Sequence, residues 1–222
     1  GSDTGLQSSV CTWPGVAGYA CPQMSTSPMQ LVCSAGEASS AGAGSGGTCP
    51  AGRYSNSSAS AACIECSPGF HASTSGSMNC TACAAGTYCR RGSIDPVACD
   101  NPIQFCGRIA TEPQTVDAGY YSVPYSTQDK VVYVFQKPCQ PGTFCVNGLN
   151  RSCDPGFFSA SSGSSSCHPC PAGRYGADSG LISSNCSGYC SAGYYCPSAS
   201  TSPTERACSK GMLCAVGSDI PQ

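Results

Sequence analysis

The sequence is short of the side chains from which a hydrophobic core is built. Leu, Ile, Val and Phe together supply 28 of the 222 residues, about 13 per cent. Chains with less than about 20 per cent of these residues are expected to be disordered unless something else holds them. The shortage disfavours Rossmann folds, TIM barrels and helical bundles, because these need long apolar periodic segments.

Strong charge and long apolar runs are also missing. Ten Lys and Arg face twelve Asp and Glu with no basic run, so no nucleic-acid partner is predicted. The longest strongly apolar stretch, residues 131–135, is far shorter than the ~20 residues that cross a bilayer, so no membrane span is predicted within this segment.

Catalytic motifs are missing too. The two histidines, His71 and His168, are assigned to exposed loops, and no Ser/His/Asp arrangement, HExxH, P-loop or calcium loop can be assembled. Neither an enzyme nor a cofactor is predicted.

Cysteine, in contrast, is abundant. The chain has 21 cysteines, and ten disulfides at about 2–4 kcal/mol each would supply on the order of 20–40 kcal/mol. Cysteine at this density is retained as disulfides only in an oxidising compartment, which predicts an extracellular or cell-surface protein.

The cysteines belong to a repeat. The pattern Cys-x-x-Gly occurs twelve times, and nine occurrences open a unit, at Cys33, Cys49, Cys66, Cys83, Cys139, Cys153, Cys170, Cys190 and Cys208. An aromatic residue usually follows the glycine. The glycine predicts a tight turn with positive φ, and the aromatic is expected to pack over a disulfide.

Two kinds of unit can be separated. A long-loop unit closes after a Ser/Gly/Ala-rich loop, whereas a tight unit has its second cysteine six residues after the first. The long-loop units suggest the pairs Cys49–Cys63, Cys66–Cys80, Cys153–Cys167 and Cys170–Cys186. The tight units could instead cross, as Cys83–Cys99 with Cys89–Cys106. The remaining disulfide candidates are Cys139, Cys145, Cys190, Cys196, Cys208 and Cys214.

These features predict a small disulfide-rich fold of β ribbons and loops with little helix, arranged as elongated tandem repeats. Each unit is expected to bury surface only against its neighbours, as in a rod. The domain boundaries expected are an N-terminal segment 1–48, a first block 49–106, a cysteine-free β insert 107–138 and a second block 139–222 that ends in mid-repeat.

The insert 107–138 departs from the regular cysteine spacing, since it contains no cysteine. The run from Val116 to Tyr121 matches the start of a unit with valine in the cysteine position. The strand predicted at 131–135 is interpreted as a ribbon edge, with a partner-binding strand as the alternative.

An odd cysteine number leaves at least one thiol without a partner. The favoured explanation is an array cut partway through a repeat after Cys214, since its sequence aligns with Cys89 to Cys99 and stops before the closing cysteine. Loss of a partner at Val116 and an interchain disulfide are the alternatives.

Two other uses of the cysteines are considered. Cys63, Cys66, Cys80 and Cys83 have spacing that would fit a zinc ribbon. A thioredoxin-like role for Cys63/Cys66 or Cys167/Cys170 would need a helix N-terminus, and no helix pattern is present. The repeat favours disulfides over both.

Four Asn-x-Ser/Thr sequons are glycosylation candidates, at Asn56, Asn79, Asn150 and Asn185. Asn56 and Asn150 are assigned to loops and are preferred. Asn79 and Asn185 precede a cysteine whose disulfide could hinder modification. Serine and threonine near residues 55–59, 73–77 and 159–166 are candidates for O-linked glycans.

Units such as Cys49-Pro-Ala-Gly-Arg-Tyr54 and Cys190-Ser-Ala-Gly-Tyr-Tyr-Cys196 resemble the ephrin-receptor-like cysteine-rich repeat, which is related in style to EGF-like and tumour-necrosis-factor-receptor modules. The resemblance covers about residues 33–106 and 139–222. It implies an extracellular, disulfide-laddered β-ribbon rod and no particular activity.

The function predicted is structural: a segment of a larger surface glycoprotein that forms or decorates a filament, coat or appendage. Its expected partners are other copies or other extracellular structural proteins, together with N- or O-linked glycans. One alternative is a ligand-binding or adhesive receptor ectodomain using Tyr120, Tyr121, Tyr125 and Tyr133. A less favoured alternative is a cysteine-rich protease inhibitor with Arg90-Arg91 as bait.

Overall fold

The computed structural model describes residues 15–22, 25–126 and 130–222, and all the regular structure in them is β. These residues form eleven antiparallel two-stranded hairpins and contain no helix, which confirms the predicted fold class. The N-terminal segment predicted at 1–48 therefore lies partly outside the described residues.

The hairpins follow one another along the chain. They are β1 (Tyr19–Ala20) with β2 (Leu31–Val32), β3 (Glu37–Ala38) with β4 (Gly47–Thr48), β5 (Arg53–Tyr54) with β6 (Ile64–Glu65), β7 (Phe70–His71) with β8 (Thr81–Ala82), β9 (Thr87–Tyr88) with β10 (Val97–Ala98), β11 (Gln104–Phe105) with β12 (Gln114–Thr115), β13 (Tyr120–Ser126) with β14 (Val131–Pro138), β15 (Thr143–Val146) with β16 (Leu149–Ser152), β17 (Phe157–Phe158) with β18 (His168–Pro169), β19 (Arg174–Tyr175) with β20 (Gly188–Tyr189), and β21 (Tyr194–Tyr195) with β22 (Arg206–Ala207).

The repeat glycine makes the turn that precedes ten of the eleven hairpins, whereas Pro102 occupies its position before β11. Gly52 and Gly156 have φ of 82° and 84°, a region that side chains with a Cβ rarely adopt. The amide of the next residue closes the turn, as where Arg53 N–H donates to the Pro50 carbonyl over 3.1 Å. The predicted positive φ is therefore confirmed.

Backbone hydrogen bonds join each repeat to the next. The amide of the turn glycine donates to a carbonyl that follows the first strand of the next hairpin, as from Gly52 to Ala72 over 2.8 Å. A second bond runs in the other direction. The carbonyl of the cysteine that begins a repeat accepts from a backbone amide in the loop of the next repeat, as where Gly92 N–H donates to the Cys66 carbonyl over 2.8 Å. This backbone ladder, interrupted at Pro102, which has no amide hydrogen to donate, does the work that apolar packing does elsewhere.

Contacts also reach the second repeat along the chain. A Cβ placed on Gly52 would collide with the carbonyl of Gly92, which lies two repeats later, and Gly173 stands in the same relation to Gly217. The expectation that units pack only against their immediate neighbours is therefore wrong. Two factors therefore favour glycine at this turn. One is its positive φ, and the other is the carbonyl of a later repeat that occupies the space where a Cβ would lie.

The chain divides into two compact units. One comprises Gly1–Cys99 and Cys106–Pro113, and the other comprises Asp100–Phe105 and Gln114–Gln222. The second unit contains the longest hairpin, β13–β14, within the predicted insert. Ser122 of β13 is buried and donates from its hydroxyl to the Pro102 carbonyl over 2.6 Å.

The interior consists almost entirely of cysteine. The twelve largest fully buried side chains of the described residues are all cysteines, and Val132 is the one Val, Leu, Ile or aromatic residue in that part of the chain that is buried. Disulfides therefore replace the missing apolar core, as the composition predicts.

Candidate functional site

The disulfide ladder is the chemical feature shared by the repeats. We name three positions in each repeat: the opening position, usually the cysteine of Cys-x-x-Gly; the inner position, six or seven residues later at the end of the first strand; and the closing position, three or four residues before the next opening position.

The inner position is buried in every described repeat. Its occupants are small: Cys21, Ser39, Ser55, Ala72, Cys89, Cys106, Ser122, Cys145, Ser159, Gly176, Cys196 and Cys214. The position faces the opening sulfur, since a Cβ on Gly176 would lie 2.9 Å from Cys170 Sγ. Burial against a neighbouring sulfur explains why only small residues occur there.

The residue at the inner position decides the disulfide. Where the opening and inner positions are both cysteine, these two bond to each other, as in Cys83–Cys89, Cys99–Cys106, Cys139–Cys145, Cys190–Cys196 and Cys208–Cys214. Where the inner residue is Ser, Ala or Gly and the opening and closing positions are both cysteine, the opening cysteine bonds to the closing cysteine, as in Cys49–Cys63, Cys66–Cys80, Cys153–Cys167 and Cys170–Cys186. No described repeat has cysteine at both positions.

The four long-loop pairs are joined as predicted, but the crossed pairing of the tight units is wrong. Cys89 bonds to Cys83 instead of Cys106, and Cys99 bonds to Cys106. The reason is geometric, because the inner position faces the opening cysteine of the same repeat, and crossing would have to join different hairpins.

In two long-loop repeats, the inner serine also organises the loop. Ser55 donates to Ser60 Oγ over 2.7 Å, and Ser159 makes the same contact with Ser164 Oγ over 2.8 Å. The Ser-rich loops that the disulfides close are thus held from inside as well.

Cys33 is a free cysteine and is buried. Its repeat has Ser39 at the inner position and Gly46 at the closing position, so neither usual partner is cysteine. A Cβ on Gly46 would lie 2.8 Å from Cys33 Sγ, about the separation that one bridging sulfur requires. Cys33 therefore faces a closing position that glycine occupies instead of cysteine.

This arrangement corrects the explanation of the odd cysteine number. Cys214 is bonded to Cys208, so it does not await a closing cysteine. Val116 leaves no thiol over either, because its repeat has Ser122 and Gln136 at the inner and closing positions. The unpaired position in the described chain is Cys33.

Hydrogen bonds replace the disulfide in the Val116 repeat. Asp117 N–H donates to Gln136 Oε1 over 2.8 Å, and Gln136 Nε2 donates to Asp117 Oδ2 over 2.5 Å. The pair joins the opening and closing ends of the repeat, where other repeats carry a bond between sulfurs. The substitution explains how β13–β14 stays closed without cysteine.

Removing this pair should loosen one hairpin. Gln136→Leu deletes both hydrogen bonds, and we expect a loss of about 1–2 kcal/mol because a side-chain hydrogen bond contributes about 1 kcal/mol net. Amide exchange at Asp117 should accelerate by roughly tenfold. Gln114→Leu, at an exposed position of β12, should leave that amide unchanged; equal exchange in both variants would contradict the role of the pair.

A carboxylate supports the repeat that opens at Cys190. Glu205 occupies its closing position, and Oε2 accepts from the amides of Thr201 and Ser202, each over 3.1 Å. Because Cys190 is bonded to Cys196 at the inner position, the closing position does not need a cysteine, and Glu205 there holds the loop by hydrogen bonds instead.

The alternative cysteine chemistries do not fit the structure. The four cysteines of the proposed zinc ribbon are all in disulfides, two of them with partners outside the set, Cys49 and Cys89. The members of Cys63/Cys66 and of Cys167/Cys170 are each bonded to other cysteines. No group of three or more potential metal ligands occurs among the described residues.

All four glycosylation candidates are exposed. Asn56, Asn79 and Asn185 lie in loops or turns, whereas Asn150 lies in strand β16 opposite Cys145, so its assignment to a loop is wrong. Cys80 and Cys186, which follow Asn79 and Asn185, are both in disulfides.

Both histidines also lie in strands instead of loops. His71 belongs to β7, and its Nδ1 is 3.1 Å from Ser73 Oγ. His168 belongs to β18 and packs near the Phe158 ring, with centroids 5.9 Å apart.

The residues of the two alternative sites are partly exposed. Tyr125 is 58% exposed, while Tyr120, Tyr121 and Tyr133 are half-buried. Arg90 and Arg91 are exposed; Arg91 Nε lies 3.8 Å from Glu65, and Glu65 pairs with Arg53 over 2.6 Å. Of the arginines of the supposed bait, Arg91 therefore makes one long ion-pair contact while its side chain stays 76% exposed, and Arg90 lies over the Tyr88 ring, 5.9 Å from its centroid.

Two further signals in the sequence indicate features that cysteine spacing leaves open. The absence of any repeat with cysteine at both inner and closing positions would have given the pairing. The dipeptide Asn147-Gly148 between Val146 and Leu149 is a strong hairpin signal, and it forms the turn of β15–β16 with φ of 51° and 71°.

No known family model matches the chain, and no curated protein matches its sequence. The described residues include no helix long and apolar enough to span a membrane. The chain is a cysteine-rich repeat protein of disulfide-stapled β ribbons.

Proposed function

We propose that this chain is a structural extracellular element, a disulfide-stapled segment of a surface glycoprotein that forms or decorates a filament, coat or appendage. We also propose that the chain is related to the ephrin-receptor-like repeat. Its proposed partners are other copies or other structural proteins, and its exposed asparagines are proposed to carry glycans. The observation that carries it is the interior of buried disulfides joined by a backbone ladder.

Such an interior suits a mechanical role. Each disulfide closes a single repeat, with bonded cysteines 6 to 16 positions apart in the sequence, so opening of one such repeat leaves the closure of the others intact. Repeat arrays of this kind gain stability from each unit and each interface between units. Most side chains between the strands are small or polar, which favours packing into an assembly over binding a single substrate.

A receptor ectodomain is the second candidate. Hairpin β13–β14 presents exposed Tyr125, Val131 and Phe135, and aromatic residues are enriched at binding interfaces. The inhibitor alternative is supported only by the exposure of Arg90 and Arg91.

The structural role predicts protection by the disulfides. Native oxidised chain should survive a broad-specificity protease at least tenfold longer than chain reduced and alkylated, since cleavage requires local opening. An antibody against the native chain should label the outside of non-permeabilised cells that produce it. Labelling only after permeabilisation, or equal digestion of both forms, would contradict the proposal.

A further inference from the structure

Three backbone hydrogen bonds join most repeats to the next. The turn glycine donates to the carbonyl of the next inner residue, the inner residue donates to a loop carbonyl of the next repeat, and the opening carbonyl accepts from a loop amide of the next repeat. Nine junctions between successive described repeats carry all three bonds. At the junction after the Cys49 repeat, the bonds run from Gly52 to Ala72, from Ser55 to Ser77 and from Gly76 to Cys49, over 2.8, 3.1 and 2.7 Å.

The two junctions around the repeat that opens at Val116 are different. Before this repeat, the turn position holds Pro102, which has no amide hydrogen, and none of the three bonds occurs among the described residues. After it, one of the three occurs, from the Ser122 amide to the Gly148 carbonyl over 3.1 Å, while the Gly119 amide has no described backbone acceptor. The ladder is thus weakest on both sides of one repeat.

The Val116 repeat also has no covalent closure. The sequence has no cysteine between Cys106 and Cys139, and the Asp117–Gln136 hydrogen bonds close the hairpin instead. The repeat that opens at Cys33 has no described disulfide either, but it carries all three backbone bonds at both of its junctions. Among the described repeats, that of Val116 therefore combines the lack of a disulfide with the lack of a full set of backbone bonds.

One buried side chain supplies contacts at both weak junctions. The Ser122 hydroxyl donates to the Pro102 carbonyl over 2.6 Å and lies 3.4 Å from the Gly148 carbonyl. Ser122 is 3% exposed, so these bonds are shielded from water while the repeat is closed. Tension along the chain would enter hairpin β13–β14 at the Tyr120–Pro138 pair, and the strand pairs would then open one after another.

We propose that the Val116 repeat is a yielding element, which opens under tension before the other repeats and lengthens the chain while their disulfides stay closed. Ser122 and the Asp117–Gln136 pair hold it shut at low load. Its opening breaks non-covalent contacts alone, so the repeat closes again when the tension falls. The inference rests on the proposed structural function and makes it specific, because it identifies where a load-bearing array yields.

The disulfide pairing sets how far each repeat can extend. From Val116 to Cys139 there are 23 positions, about 8 nm at 3.3–3.6 Å per residue. The 16 positions from Cys33 to Cys49 correspond to about 5–6 nm. In repeats closed by a disulfide, the longest free stretch between one bond and the next repeat is the 12 positions from Cys196 to Cys208, about 4 nm. Opening of the Val116 repeat therefore gives the longest step.

Single-molecule force spectroscopy of the full oxidised chain, held by its two ends, tests the yielding element. As the force rises slowly, the first event should lengthen the chain by about 7–8 nm, and it should reverse when the force is lowered. The step of about 5–6 nm from the Cys33 repeat should follow at higher force. A first event of about 6 nm or less would overturn the proposal.

A double variant assigns the event to this repeat. Val116→Cys with Gln136→Cys places cysteines at the opening and closing positions, and the resulting disulfide should abolish the first event. Val116→Ser with Gln136→Ser is the matched control, which cannot form the bond and should keep the step at a lower force. If the event persists in the cysteine variant after its two new thiols are shown to be bonded, another repeat yields first and the proposal is wrong.

The contribution of Ser122 is measured at constant force. Ser122→Ala should shorten the dwell time before the first event by roughly fivefold or more, since it removes a buried hydrogen bond. Ser159→Ala is the control, because Ser159 is also a buried inner serine but belongs to a repeat closed by Cys153–Cys167. It should leave that dwell time unchanged, and equal dwell times in the two variants would contradict the role of Ser122.

The antibody and protease measurements separate this failure from that of the proposed function. A chain that is displayed outside the cell and resists protease, but first yields elsewhere, removes only the yielding element. Loss of display or of protease resistance removes the structural role itself.

Discussion

Gly46→Cys should create a new disulfide with Cys33 and stabilise the protein by about 3 kcal/mol, the value expected for a closed loop of about 15 residues. The backbone at Gly46 is not in the left-handed region, so a side chain is tolerated, and its Cβ would lie 2.8 Å from Cys33 Sγ. Thermal unfolding should shift upward by roughly 6–12 °C. Thiol titration should show the Cys33 thiol lost.

Gly47→Cys is the matched control, one residue along in strand β4. A Cβ there lies 3.7 Å from the Ala38 carbonyl and has no sulfur among its neighbours within 4 Å. This variant should gain a titratable thiol in addition to that of Cys33, and no stability. If Gly46→Cys also leaves both thiols reactive under oxidising conditions, Cys33 does not face an empty partner position.

Gly173→Ala should be strongly destabilising, by about 2–5 kcal/mol. Alanine in the left-handed region costs about 1–2 kcal/mol, and overpacking typically adds about 1–3 kcal/mol. The added methyl would collide with the Gly217 carbonyl two repeats later. Denaturant unfolding of the oxidised chain measures the loss.

Gly193→Ala measures the cost of the left-handed backbone alone, without the contact with a second repeat. Gly193 has φ of 85°, against 83° for Gly173, and no atom within 4 Å of its Cβ position. It should lose only the conformational part, about 1–2 kcal/mol. Equal losses in the two variants would show that contacts between second neighbours contribute nothing.

Cysteine spacing predicts local structure well in this chain. The turn, the short ribbon and the four long-loop disulfides all depend on residues within about 16 positions of each other, such as Cys170 and Cys186. Loop closure over such lengths has a modest entropic cost. Local pattern is therefore sufficient to specify them.

Contacts between repeats could not be read in the same way. The approach of the Gly92 carbonyl to Gly52 depends on how successive hairpins stack, and glycine at that position is already explained by the turn. The pairing of Cys83 with Cys89 likewise depends on which way the inner side chain points. Cysteine spacing alone does not distinguish the pair Cys83–Cys89 from the crossed pairs Cys83–Cys99 and Cys89–Cys106.

The pairing rule is tested most directly by tryptic peptides of the unreduced, denatured chain at mildly acidic pH. Cleavage after Arg91 and Arg108 releases residues 92–108, which contain Cys99 and Cys106 as their two cysteines. The bond Cys99–Cys106 predicts this peptide free of any other, at a mass lower by two hydrogens than the reduced form. Release of residues 92–108 only after reduction, linked through Cys83 or Cys89, would contradict the account.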